Sequence, residues 1–315
     1  MTDLLAPMLE YEASRDVPTR RRWSRIAGTR IDLHCHSTFS AEHVSWLPGL
    51  RFYPLLEPEE LYDLAKSRGM DFVTITDHDT IDGCKALLER RGVLADFIFG
   101  EEVTVSFPED GTVVHVNVYD IDEQQHAELQ RLRDNVYDLA DFLRRIDKLF
   151  VLNHMTWTKQ HRVLKSWQIE AMLELFDVFE GINGTRSYAH NAFAAQLARA
   201  HDKVLVAGSD SHTRRVGTTY TLSAGKTVGE LLAAIRAGKA APCGAFGTAE
   251  QLRDDVWAIL QETIERHRAE ASSVWKRITC RAARCLGRFA CPFFCLGYHA
   301  RQNLLIRKSS LAIPT

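Results

Sequence analysis

Short apolar runs alternate with stretches of helical period along most of this chain. Strand-like runs occur near 29–35, 71–76, 96–103, 112–119, 149–153, 177–182 and 203–208. They are rich in Val, Ile and Phe without clean alternation, which predicts strands covered on both faces. Helical patterns lie between most of them, near 58–69, 80–91, 122–148, 167–176, 188–201 and 227–238. Pro58-Glu59-Glu60-Leu61 opens the first and Gly69 closes it, which fits proline early and glycine late. The stretch 96–119 breaks the rhythm: two strands joined through Pro108-Glu109-Asp110-Gly111 predict a hairpin. Seven strands with crossover helices predict an α/β chain folded as a barrel, with an open doubly wound sheet as the alternative. Residues 1–28 read as a polar arm, 29–248 as the barrel domain, and 249–315 as a C-terminal helix, over 249–279, with a basic Cys-rich tail. Residues 47–60 form an aromatic and proline-rich loop, packed against the body or covering the barrel mouth.

Charge changes this picture at one end. The 315 residues carry a net charge of −2, with 39 Lys and Arg against 41 Asp and Glu. Eight of those basic residues, and no acidic one, fall within 276–315, so residues 1–275 hold 31 basic and 41 acidic side chains. The tail is therefore a basic appendage on an acidic body. Four of the seven cysteines (Cys280, Cys285, Cys291, Cys295) cluster there at spacings unlike the paired C-x-x-C of structural zinc sites. The start of the chain lacks the look of a secretory signal and no apolar run reaches about 18 residues, so a cytoplasmic chain with free thiols is expected. A basic, aromatic segment at 276–315 suits a helix packed on the acidic body, an anionic membrane or nucleic acid.

The candidate chemistry gathers at strand ends. His34-Cys35-His36, Asp77-His78-Asp79, Glu101-Glu102 and Asp210-Ser211-His212 place imidazoles and carboxylates at ligand spacing, with His115 and His154 between the last two. Residues i and i+2 of a strand share a face, so His34 can converge with His36 and Asp210 with His212. Imidazole and carboxylate suit zinc, manganese or iron. A lone histidine on an apolar strand is usually a core residue, and His126, His161, His190, His201, His267 and His299 are read that way. Eight ionisable groups beside apolar strands would each cost several kcal/mol unless paired or metallated.

In this order the motifs resemble the PHP family, named for polymerase and histidinol phosphatase. The resemblance runs from about Ile31 to Gly217: H-x-H at His34 and His36, T-D-H-D at Thr76 to Asp79, G-x-E at Gly100 to Glu102, strand histidines His115 and His154, and G-S-D-x-H at Gly208 to His212. It implies a distorted (β/α)7 barrel holding two or three divalent ions. His34, His36, Glu102 and Asp210 would hold one metal, and Glu102 would bridge to a second with His115 and His154. His78 and His212 would hold a third, with an acidic residue just after H-x-H. There this chain departs, since Ala41 stands where the family has Asp, and Glu42 or His43 follows. Asp77 and Asp79 are the candidates for orienting a ligand or carrying a proton. Arg214, Arg215, Lys159, Arg162 and Arg186 are candidates for holding phosphate, and Asn183 for touching substrate.

The expected activity is hydrolysis of a phosphate ester by metal-bound hydroxide. The substrate would be a small phosphorylated metabolite, a nucleotide or a short oligonucleotide. Only 38 residues separate His115 from His154, too few for a large nucleotide-binding insertion. An amidohydrolase is the second reading, although no middle strand carries the lysine that such barrels usually carboxylate. A non-catalytic PHP module is the third.

Overall fold

The computed structural model describes residues 28–40, 42–43, 51–269 and 274–310. The polar arm up to residue 27, the loop over 44–50 and Ala41 lie outside the described residues. The elements in chain order are β1 (Thr29–Asp32), β2 (Glu42–His43), β3 (Arg51–Phe52), α1 (Pro58–Ser67), β4 (Phe72–Ile75), α2 (Asp82–Arg91), β5 (Phe97–Ser106) and β6 (Val113–Tyr119). There follow α3 (Glu123–Arg131), α4 (Val136–Arg145), β7 (Phe150–Leu152), α5 (Ser166–Leu175), β8 (Val178–Asn183), α6 (Tyr188–Ala200) and β9 (Val204–Gly208). The chain ends with β10 (Thr219–Ser223), α7 (Val228–Arg236), β11 (Ala240–Gly244), α8 (Ala249–Ala269) and α9 (Val274–Ser310).

Among the described residues, nine strands form one sheet in the order β11-β10-β1-β4-β5-β6-β7-β8-β9. Its two sides approach each other into a nearly closed barrel. Beyond the end of β1, Cys35 pairs in parallel with Ser211, which joins the two sides at the rim. Lower down, Thr221 of β10 bonds the backbone of Ala207 on β9 and stands between them. All seven expected strands are present, and two antiparallel ones, β10 and β11, complete the wall. The region 96–119 is the expected hairpin, with Thr104 opposite His115.

The buried cluster of Ile31, Leu33, Ile98, Tyr119, Val178 and Val206 draws on β1 and its extension and on β5, β6, β8 and β9. Only the barrel interior lets strands from opposed sides meet, so this is its packed filling. Leu231, Leu232 and Ile235 of α7 join it and close one end. A second cluster packs α3 to α6 on the outside, and a third packs α1 and α2. Residues 122–148, expected as one helix, form two. Asn135 accepts bonds from the amides of Tyr137 and Asp138 and so caps α4 where the first helix has ended. The helix expected over 249–279 is likewise two, α8 and α9, with residues 270–273 between them outside the described residues.

Candidate metal centre

The centre forms where the wall strands end at one rim. His34 and His36 follow β1, and extended geometry sends both side chains inward, while Cys35 between them turns into the outer core. On β5 the same alternation separates two adjacent acids. Glu101 faces outward to His126 Nδ1 at 2.6 Å and to Gln130 of the neighbouring helix. Glu102 faces inward and is fully buried. Glu102 pairs with Asn117 and Thr104 with His115 across the hairpin, so Glu102 and His115 are diagonal neighbours on the inner face.

Glu102 is the hub. Its Oε2 lies 3.0 Å from His34 Nε2, 3.2 Å from His36 Nε2 and 3.2 Å from His78 Nδ1. Its Oε1 lies 3.1 Å from His115 Nδ1 and 3.3 Å from His154 Nε2. Asp210 Oδ1 stands 3.5 Å from His34 Nε2, 3.4 Å from His36 Nε2 and 3.8 Å from His212 Nδ1. The eight expected ligands thus meet at one place. Two ligand atoms each about 2.05 Å from a tetrahedral ion stand about 3.3 Å apart, and these separations cluster around that value.

The donor chemistry points the same way. His34 Nε2, His36 Nε2 and Glu102 Oε2 are buried and take no hydrogen bond of good geometry. Such atoms need a counter-ion to repay their desolvation. Burial alone would push the Glu102 carboxyl up, yet the imidazoles of His34, His78 and His115 hold it well below the usual range. Burial pushes His115 down to about 4, which leaves a neutral imidazole with a lone pair to give. Burial opposes charge on His34 too, but Glu102, Asp210 and Glu180 raise it well above its ordinary value. The cluster demands positive charge, which divalent cations would supply. Among the described residues, four groups have ligand atoms close enough to share an ion: His34, His36 and Asp210; His34, Glu102 and His154; His78, Glu102 and His115; and His36, His78 and His212. The last is three imidazoles without an acid. Glu42 and His43, the candidates to complete it, sit on β2, but their side chains lie outside the described residues.

A second ring of groups aims the ligands. Glu180 of β8 accepts from His34 Nδ1 at 2.9 Å and from the His154 amide at 2.9 Å. This fixes the His34 tautomer, so Nε2 presents the lone pair. Glu180 belongs to no motif in the sequence. Its signal was an acid in an otherwise apolar run, at 3% exposure. Asn183 donates to Glu180 Oε2 at 2.8 Å and to Asp210 Oδ2 at 3.1 Å, and so braces two acids rather than facing solvent. Asp32, passed over in the sequence, accepts from the amides of Ser209 and Gly217 and ties β1 to the last ligand loop. His154 (φ 23) and Asp210 (φ 50) adopt left-handed backbone, and Asp210 is held there by its amide bond to His34 O.

The remaining candidates separate. Asp77 binds the amide and hydroxyl of Ser37, both at 2.6 Å, and burial pushes it up to about 6. Asp79 binds the Thr104 amide at 2.7 Å and Arg133 at 2.6 Å. Neither is among the described residues lining the cleft. Arg214 is exposed beside Glu60, and Lys159 and Arg162 are exposed. Arg215 is spent on Asp255, at 2.9 and 3.0 Å. Arg186 alone of the five cations lines the cleft of about 240 Å³ above the ligands, together with His78, His115, His154, Asp210 and His212. Its guanidinium stacks 4.9 Å from the Trp157 ring centre and lies 3.4 Å from Asp210 Oδ2.

Residues 189–240 match the family model described as PHP-associated. In structure the chain is similar to a two-domain protein from Bacteroides vulgatus that contains a predicted PHP-like metal-dependent phosphoesterase. The TM-score is 0.52 at 18% identity, over 73% of this chain and 69% of that one. The fold is therefore PHP-like. Weaker likenesses reach an amidohydrolase from Chromobacterium violaceum (TM-score 0.46, 19% identity, 59% of this chain and 89% of that one). They also reach a lesion-specific endonuclease from Pyrococcus furiosus (TM-score 0.45, 18% identity, 69% and 58%). Both are too distant to bear on the chemistry of this chain. No curated protein matches the sequence at a significant level.

Proposed function

We propose that this protein is a metal-dependent phosphoesterase acting on a small phosphorylated metabolite, a nucleotide or a short oligonucleotide. The observation that carries the reading is Glu102, a fully buried carboxylate whose two oxygens face separate histidine sets, His34, His36 and His78 on one side and His115 and His154 on the other. A carboxylate so placed would serve both histidine sets. Two or more divalent ions, zinc, manganese or iron, would supply Lewis acidity and an activated water at neutral pH.

The chain's own residues do the rest. His34, held by Glu180, and Asp210, held by Asn183 and by the Thr185 hydroxyl at 2.8 Å, keep the ligand set rigid before substrate arrives. Arg186 lines the cleft, so its guanidinium is the group that a substrate oxygen would meet. A fixed guanidinium stabilises the negative charge that a phosphoryl transition state spreads over its outer oxygens. Asp77 and Asp79 act as positioning residues, fixing the segments that carry His36 and His78. An anion-binding arginine, and a bridging glutamate in place of a carboxylated lysine, favour phosphoester over amide hydrolysis.

The test is a screen of phosphate mono- and diesters against amide substrates, with protein loaded with zinc or manganese and its metal content quantified. Phosphate release that vanishes in Glu102→Gln, with less than one ion retained, supports the reading. Stoichiometric metal with amide hydrolysis alone overturns it in favour of an amidohydrolase. Substoichiometric metal in the wild type would leave a non-catalytic module.

A further inference from the structure

We propose that α9 docks the protein on an anionic lipid surface, its outward apolar stripe lying in the headgroup region. The 37-residue helix has two unlike sides. One side packs on the protein: Cys291, Cys295, Gln302, Ile306 and Ser309 are at most 6% exposed. On the opposite side Trp275, Leu286, Phe289, Phe293, Leu296 and Leu304 are between 52% and 77% exposed. Successive residues of an α-helix are about 100° apart, so these six fall within an arc of roughly 80°, over a length of about 44 Å. Monomeric proteins seldom leave an apolar strip of that length in water.

Charge selects the occupant. Between Val274 and Ser310 stand eight Lys or Arg and no Asp or Glu. A second copy laid along this stripe would bring two such helices together, with like charges facing across the contact. Nucleic acid would want the basic groups outermost, yet the outermost side chains are Trp, Phe and Leu. An anionic bilayer satisfies both features: apolar side chains enter the acyl boundary while long basic ones reach the phosphates. No described helix is long and apolar enough to cross a membrane, so the helix lies on the surface. Arg301 and Lys308, about 40–60° beyond the edge of the stripe by the same helical geometry, stand where headgroup phosphates would be.

Flotation of the full chain with vesicles tests this independently of the metal chemistry. Vesicles of phosphatidylcholine alone are compared with vesicles containing about a third phosphatidylglycerol. Binding to the anionic vesicles is expected, weakened by high salt. A Phe289→Glu, Phe293→Glu double variant should bind about tenfold less or weaker still. Both side chains are mostly exposed, so the variant should keep its circular dichroism and metal content. Absence of binding by the wild type at low salt overturns the proposal. So does equal binding by the double variant. A dimeric mass for the wild type that falls to a monomer in the variant, without vesicle binding, assigns the stripe to a second copy. Binding of an oligonucleotide but not of vesicles assigns the helix to nucleic acid.

Discussion

Glu180 shows what a single side chain contributes when it never touches an ion. It sets which nitrogen of His34 carries the proton, and groups in this position commonly change metal affinity by about 10- to 100-fold. Glu180→Gln keeps the shape but loses the acceptor strength of the carboxylate. Its affinity for zinc or manganese should fall by about that factor, while circular dichroism stays native. Unchanged metal affinity would mean that His34 is oriented by packing alone. Arg186 makes the opposite prediction. Arg186→Met removes a charged contact to substrate and one long contact to Asp210, which Asn183 and Thr185 still hold, so kcat/KM for a phosphoester should drop by about 10- to 100-fold while metal content holds. At this scale the ligands were legible because histidine and carboxylate pairs at i, i+2 are rare on apolar strands. Their supports were not. Glu180, Asn183 and Asp32 carry no motif, and only the fold shows that they face His34 and Asp210. Asp77 and Asp79 were read as orienting a ligand or carrying a proton, but their partners Ser37 and Thr104 were not legible, because the direction of a side chain after a strand end depends on the loop it enters.

At the scale of elements, strands were read well because each is a short apolar run between turn residues. β10 and β11 escaped because Thr219–Ser223 and Ala240–Gly244 contain little Val or Ile and sit at the wall's seam. The joints between elements rest on polar ties, and the β5–β6 turn is tied to α5 in this way. Lys165 Nζ lies 2.8 Å from Asp110 Oδ2, and the Thr112 amide lies 3.0 Å from Oδ1. Burial would raise Asp110, but Lys165 and Thr112 outweigh it and hold the carboxyl down to about 2. The sign follows from linkage: a depressed carboxyl stabilises the fold above its unfolded value near 3.8 and loses that contribution as pH falls through about 2. Partial solvent screening limits the effect to roughly 1 kcal/mol. Asp110→Asn should therefore melt a few degrees lower at pH 7, and the gap should close as pH approaches 2. A gap that persists unchanged at low pH would assign the loss to packing instead.

For the molecule as a whole, the question is what α9 does for a barrel that already holds its ligands. The helix returns across the barrel mouth: Tyr298 accepts a hydrogen bond from Trp157 Nε1 at 3.1 Å, Gln302 meets His161 at 3.0 Å, and Ser309 accepts from the Leu164 amide at 3.1 Å. Trp157 in turn stacks against Arg186, so the helix supports the wall that would hold substrate rather than the ligands, which hang from the strands. The two functions should therefore come apart. Ile306→Glu places a charge on the buried face of α9, at a side chain now 5% exposed, and costs about 3 kcal/mol or more if the helix stays docked. Undocking is the easier escape. The melting temperature should fall by several degrees and KM for a phosphoester should rise about tenfold, while bound metal per chain stays constant. Limited proteolysis should then open the segment over 154–165, which α9 covers. Loss of metal together with KM would show instead that helix and ligand cluster form one cooperative unit, and that the barrel cannot assemble its centre unless the basic helix is in place.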